Sequence, residues 1–258
     1  MLPESKAFIL EEKETHANMR WIYISPHLDD AVLSCGGLIW EQVHSGVTVE
    51  IWTICAGDPP PGELSNFAKM LHEKWQTGGV ETVALRRAED KNAARRVRAT
   101  PFHFGMPDAI YRRSNGYGPL YTEDIFVPIH SADKSVDEIT RLLAHKLTQY
   151  DTVVCPLAVG GHVDHVITRT AVEQLARPLW YYADIPYFLS HPEQLFAATP
   201  RLSPRTFYVS SRGLTAWQNG IASYTSQISS LFADVTEMRQ KIRDYLRQFD
   251  GLRLWEAE

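Results

Sequence analysis

Residues 21–30 read WIYISPHLDD, and this stretch decides the fold. Its first half is a run of β-branched and aromatic residues, the composition of a buried strand. The run stops at Ser25-Pro26, and a helical pattern takes over from residue 33 until Gly46. Residues 47–54, VTVEIWTI, then form a second apolar strand. Strand, helix and strand in this order make a unit whose strands lie parallel. A parallel sheet needs both faces covered, which the same alternation supplies along the rest of the chain.

Helical patterns are expected at 64–75, 80–98, 136–149 and 165–176. Strands are expected at 102–104, 151–156 (DTVVCP) and 179–183, with an edge-type strand at 206–210. Helical stretches at 215–231 and 235–249 close the pattern, and Trp217 and Tyr224, seven apart, read as core. Gly36-Gly37 read as a site of close helix packing. No repeat, linker or low-complexity tract divides the 258 residues, so a single α/β domain is expected, mainly parallel with helices on both faces. Residues 1–18 are polar and acidic and are expected to be poorly ordered, leaving 19–258 as the domain. Residues 106–129, rich in Gly, Pro, Tyr and Asn, read as a long loop that shapes a pocket.

The formal charge is −5, and no run of Lys and Arg stands out, which argues against a nucleic-acid partner. The short cluster Arg95-Arg96-Val97-Arg98 falls on an expected helix and reads as a solvated face. Cys35, Cys55 and Cys155 are odd in number and lie beside apolar stretches, as buried thiols in a reducing compartment do. The N-terminal residues lack a secretory pattern, and no segment approaches the ~20 apolar residues of a membrane span. A cytoplasmic protein without a membrane partner is the expectation, with a homo-oligomer left open.

Ligands of an open parallel sheet bind outside the carboxyl ends of its strands. Two such ends carry His and Asp, ligand types that suit a borderline metal: His27-Leu28-Asp29-Asp30 and Gly160-Gly161-His162-Val163-Asp164-His165. No G-x-G-x-x-G follows the first strand, and adjacent carboxylates there would repel a pyrophosphate, which excludes a dinucleotide. His27 and Asp30 can converge on one ion, with His165 as the third ligand and open positions left for chemistry. Asp29 then stands as general base beside a metal-activated water. His162, one turn before His165, can assist at a carbonyl or its oxyanion. Taken singly, an Asp-Asp pair is also a helix cap, and a His-x-x-His pair is also a surface feature.

Pro26-His27-Leu28-Asp29-Asp30 resembles the first motif, P/A-H-x-D-D, of the PIG-L/LmbE-like zinc-dependent N-acetylglucosaminyl de-N-acetylases. His162-Val163-Asp164-His165 resembles their second, H-x-D-H. Arg86-Arg87-Ala88-Glu89 is similar to the family's R-x-x-E segment, and Ala222-Ser223-Tyr224-Thr225-Ser226-Gln227 to its C-terminal A-x-Y-x-S-Q helix. The resemblance runs over about residues 20–230. It implies a Rossmann-like fold without a nucleotide and removal of an N-acetyl group from an N-acetylglucosamine-type amino sugar or glycoconjugate. It implies metal ligands His27, Asp30 and His165, general base Asp29, and His162 at the carbonyl. It places Arg86 and Asp108 on the sugar; otherwise Arg86 is a surface ion pair with Glu89 or Asp90, and Asp108 a turn residue.

This sequence departs from the family at Leu28 and Ala31, where Pro and Glu are common. It also has Gly160 where some members carry a Tyr, whose role is either absent or filled from elsewhere, with Tyr111, Tyr117 and Tyr121 of the long loop as candidates. Zinc is the expected ion, and Fe2+ or Mn2+ fit the same donors. Two rival readings stay open: an amidase for a larger acyl or conjugate group, and a non-catalytic sugar- or metal-binding protein.

Overall fold

The first strand, β1 (Arg20–Ser25), lies in the interior of the sheet, and the first helix, α1 (Asp30–His44), starts where its motif ends. These coordinates are a computed structural model describing residues 19–75, 77, 81–114, 118–199 and 201–257. The expectation of a poorly ordered segment at 1–18 lies outside the described residues. In chain order there follow β2 (Thr48–Thr53), α2 (Asn66–Lys74), α3 (Glu81–Val97) and β3 (Thr100–His103). A 3-10 turn (Ala109–Tyr111) and the short strands β4 (Arg113–Ser114) and β5 (Gly118–Pro119) punctuate the long loop. The second half holds α4 (Ser135–Lys146), β6 (Thr152–Pro156), α5 (Val163–Glu173), β7 (Leu179–Tyr182), α6 (Tyr187–Ser190) and α7 (Glu193–Ala198). It ends with β8 (Leu202–Phe207), α8 (Ser211–Ile221), α9 (Thr225–Leu231), α10 (Val235–Phe249) and β9 (Leu252–Ala257).

The seven-stranded sheet runs β3-β2-β1-β6-β7-β9-β8. Its first five strands are mutually parallel, and β9 lies antiparallel between β7 and β8. The chain builds outward from β1 to β3, then crosses back to lay β6 on the other flank of β1, with Tyr23 opposite Val154. Between β1 and β6 the strand order therefore reverses. A crevice opens at such a switch point, outside the carboxyl ends of the two strands. Both sequence motifs leave the sheet there.

Ile22, Tyr23 and Ile24 have no exposed surface, as a two-sided parallel strand requires. The Tyr23 hydroxyl donates to Gln42 Oε1 at 2.8 Å, and the Tyr182 hydroxyl to the Ile24 carbonyl at 3.0 Å, so buried polar atoms are paired. Helix α8 packs on α1 through Trp217. A Cβ at Gly36 or Gly37 would lie 2.5 or 2.8 Å from the Trp217 ring, so these glycines permit the close approach expected of them. Cys35, Cys55 and Cys155 are free and buried.

Three expectations need correction. The edge strand foreseen at 206–210 is β8, Leu202–Phe207, and β9 was not foreseen at all. The helix foreseen over 215–231 is two helices, broken at Ala222-Ser223-Tyr224. Helix α1 begins at Asp30 rather than at residue 33, so Asp30 sits in its first turn. No helix among the described residues is long and apolar enough to cross a membrane.

Candidate active site

The turn after β1 is braced by Ser25, whose hydroxyl donates to the His27 carbonyl at 2.7 Å and accepts from Ala31 N at 3.0 Å. Asp30 Oδ2 accepts the His27 backbone N–H at 2.8 Å. The same oxygen lies 3.3 Å from His27 Nδ1 and 3.4 Å from His165 Nε2. One carboxylate oxygen thus stands between two imidazole nitrogens, one delivered by each motif.

The far side of each ring is held by another buried carboxylate. His27 Nε2 donates to Asp164 Oδ2 at 3.0 Å, and His165 Nδ1 to Asp184 Oδ1 at 2.6 Å. Carboxylates of this kind fix the tautomer of a ligating histidine. With neutral rings, two lone pairs and a carboxylate oxygen then face one another, an arrangement that demands a positive charge among them. His165 Nε2 has no hydrogen-bond partner among the described residues. Burial works against charge on His27, but Asp108, Asp164 and Asp30 outweigh it and hold the ring well above the usual histidine range. On His165 burial is likewise outweighed, by Asp30 and Asp184. Burial would raise Asp30, yet His165 and His27 keep it low and ionised. These donors fit a divalent cation.

His162 is built differently. It caps α5, and its Nδ1 accepts the Asp164 backbone N–H at 3.1 Å. Burial and the two neighbouring imidazoles push it well below the usual histidine range, so the ring is neutral. A neutral ring whose Nδ1 accepts must carry its proton on Nε2. The imidazoles of His27, His162 and His165 are close enough to share an ion. The protonated Nε2 nevertheless makes His162 a donor, whereas His27 Nδ1 and His165 Nε2 both face Asp30 Oδ2. A second grouping, His27, Cys55 and Asp164, also converges. There Asp164 is already taken by Arg112, His27 and Ala109 N, and burial pushes the Cys55 thiol up.

Asp29 precedes α1 but makes no capping hydrogen bond. Its Oδ2 faces Arg86 Nη2 at 3.5 Å. Burial and Asp30 raise its pKa to about 6, against the pull of Arg86 and His27. Arg86 is buried and lies over the Trp75 ring at 5.1 Å, while Glu89 and Asp90 are engaged elsewhere, so the surface ion pair does not form. Asp108 is a turn residue that also faces the site. Its Oδ1 caps the 3-10 turn through Ile110 N at 3.2 Å, and its Oδ2 lies 3.7 Å from His27 Nε2.

His27, Asp29, Asp30, Arg86, Asp108 and His162 line one cavity of about 680 Å³, whereas His165, Asp164 and Asp184 do not reach its surface. Its far walls come from α2 (Phe67, Leu71), Trp75, the long loop (Ile110 and Glu123 to Phe126), α6 and α9. The long loop therefore shapes the pocket as expected. Of the tyrosines named for the role at Gly160, Tyr111 bonds His72 at 2.5 Å and Tyr121 bonds Asp133 at 2.8 Å, while Tyr117 lies outside the described residues. The ring packed against Gly160 is that of Tyr187. A Cβ on Gly160 would meet its ring at 2.7 Å, and the ring stands edge-on to His165 at 5.6 Å.

Asp184, Tyr187 and Phe126 escaped the sequence reading. Asp184 follows β7, the next strand along from β6, so a search for carboxylates at every strand end would have found it.

A 2'-N-acetylparomamine deacetylase of Niallia circulans is 28% identical over 241 residues, 85% of this chain and 84% of that protein. The zinc-inhibited form of the teicoplanin deacetylase Orf2 superposes with a TM-score of 0.77 at 25% identity, covering 93% of this chain and 98% of the other. The A40926 pseudoaglycone deacetylase Dbv21 gives 0.73 at 27% identity, with 92% and 96% covered. Residues 22–176 match the PIG-L profile, described as GlcNAc-PI de-N-acetylase. Since that match spans more than half of the 258 residues, the chain belongs to the PIG-L family.

Proposed function

We propose that this protein is a metal-dependent hydrolase that removes the N-acetyl group of an amino sugar. The observation that carries the reading is Asp30 Oδ2 set between His27 Nδ1 and His165 Nε2, with both outer ring nitrogens tied to carboxylates. His27, Asp30 and His165 would hold the ion, with zinc the first choice and Fe2+ or Mn2+ compatible with the same donors. A divalent ion held there supplies Lewis acidity to a water and to the acyl oxygen.

Asp29, beside this group but not turned into it, takes a proton from the attacking water as its oxygen bonds the acetyl carbon. The His162 Nε2–H donates to the oxygen on which negative charge develops. When the C–N bond breaks, Asp29 returns the proton to the leaving nitrogen, so one water and one amide become acetic acid and a free amine, which part as acetate and an ammonium ion. Arg86 holds Asp29 on its cavity side, and Asp108 presents a carboxylate oxygen to the sugar. The relatives named for paromamine and glycopeptide derivatives support an amino sugar as the class of substrate. The apolar wall of Phe67, Leu71 and Trp75 favours, as the second reading, an amidase for a larger acyl group.

The test is acetate release from a panel of N-acetyl amino sugars by metal-reconstituted protein, with Asp29→Ala alongside. Release by the wild type, lost in a variant that keeps its metal, is the expected result. Release only from long-acyl substrates would select the second reading. No release from any substrate by loaded protein would leave a binding protein.

A further inference from the structure

Helix α9 forms one wall of the cavity with Gln227, Ser230 and Leu231, yet it is short and follows the interruption at residues 222–224. Its first turn is held by a single buried carboxylate on α3. Glu89 Oε1 accepts from the Thr225 hydroxyl at 2.6 Å and from Ser226 N at 2.9 Å. Glu89 Oε2 accepts from the Ser226 hydroxyl at 2.6 Å. Next to it, Asp90 Oδ1 accepts the Tyr224 hydroxyl at 2.8 Å. Glu89 stands one helical turn from Arg86, whose guanidinium lines the same cavity.

The bonding continues one residue further. Gln227 Nε2 donates to Ser226 Oγ at 3.0 Å. A hydroxyl has one proton, and that of Ser226 is committed to Glu89. Ser226 Oγ can therefore only accept from Gln227, which settles the orientation of the amide: nitrogen toward Ser226, carbonyl oxygen away from it. That oxygen has no hydrogen-bond partner among the described residues. The side chain is more than nine-tenths buried and lines the cavity.

We infer that Gln227 is a substrate contact whose carbonyl oxygen accepts a hydroxyl of the sugar, and that Ser226 and Glu89 are positioning residues that aim it. The inference rests on the amino-sugar reading above and adds the wall that reads the sugar. Two segments far apart in sequence, around residues 86–90 and 224–227, become one device that sets α9 against Arg86.

The experiment compares wild type with Gln227→Ala, Ser226→Ala and the double variant. It measures acetate release from the best N-acetyl sugar of the panel, calorimetric Kd of the same sugar on metal-stripped protein, and thermal unfolding. Gln227→Ala is expected to raise KM and Kd about tenfold, the loss of one hydrogen bond of about 1.4 kcal/mol, with kcat within about twofold. Ser226→Ala should raise both by about threefold, and the double variant should match Gln227→Ala alone, because the relay has nothing left to aim. Additive effects, or KM and Kd unmoved in Gln227→Ala, would overturn the inference. Glu89→Gln, which sets a donor against Thr225 or Ser226, should reproduce the Ser226→Ala shift in Kd. A lowered Tm with unchanged Kd would make Glu89 structural only and overturn its part. Should the wild type release no acetate, the deacetylase reading fails alone, and the Kd arm still decides. No sugar binding by the wild type overturns both.

Discussion

At the residue scale the site is organised by which protons each ring can carry. His162 and His165 belong to one motif and line one crevice, yet their outer partners differ. The Asp184 carboxylate fixes a proton on His165 Nδ1, whereas the Asp164 backbone N–H forbids one on His162 Nδ1. The first leaves a lone pair facing Asp30 and the second leaves a donor facing the cavity. His162→Ala should therefore cut kcat by about 10²–10³ while metal content stays at wild-type stoichiometry. Metal analysis of the purified variant checks this, and loss of the ion would return His162 to the ligand set. Asp184→Asn keeps an acceptor for His165 but loses the charge that polarises the ring. Its metal affinity should fall about 10–100-fold in a chelator competition, with the fold intact by circular dichroism. Unchanged affinity would reduce Asp184 to a packing role.

At the scale of elements, what was legible in the sequence was what local pattern controls. The strand of residues 21–25 and the motif after it could be read because burial on both faces makes a parallel strand apolar throughout. The pair Gly36-Gly37 could be read as a packing site, and Trp217 fills it. Gly36→Ala should accordingly cost about 1–3 kcal/mol by overpacking against that ring, measured by urea unfolding. The break at residues 222–224 could not be read, because apolar periodicity runs through it. It is made by distant carboxylates, with Asp90 taking the Tyr224 hydroxyl and Glu89 the first turn of α9. The start of β6 illustrates a further contact of long range. Asp151 accepts from Arg20 at 2.7 Å and from Thr148 N at 2.7 Å. Burial would raise its pKa, but these partners outweigh burial and lower it. A carboxylate depressed in the fold contributes stability above its unfolded value of about 3.9 and loses it as pH falls through the folded value. The gap in Tm between wild type and Asp151→Asn should hold near neutrality and close as the solution is acidified below about pH 4. A gap that does not change with pH would show that Asp151 acts through shape alone.

At the scale of the whole molecule, strand order turns two motifs into one site. Nothing local in His27–Asp30 or His162–His165 says that β1 and β6 are neighbours, and with any other strand between them the imidazoles would not meet. The same dependence reaches Asp184, which serves His165 only because β7 lies beside β6. On its other side β7 pairs with β9, the strand that escaped the sequence reading because the helical pattern of α10 runs almost up to it. In β9, Leu252 and Leu254 have no exposed surface and Trp255 has 3%. Burying side chains of this size contributes about 1.5–3 kcal/mol each, together a large part of the roughly 5–15 kcal/mol that holds a domain. β9 also covers the hydrogen-bonding edge of β7 and carries β8 on its outer edge. Removing residues 252–258 should thus abolish cooperative thermal unfolding and expose an aggregating edge. Because β7 leads directly into Asp184, metal binding should be lost along with the fold. A truncated chain that melts cooperatively at the wild-type Tm would show that the parallel strands alone support the crevice. One that melts lower but binds metal normally would separate the C-terminal strands from the placement of Asp184.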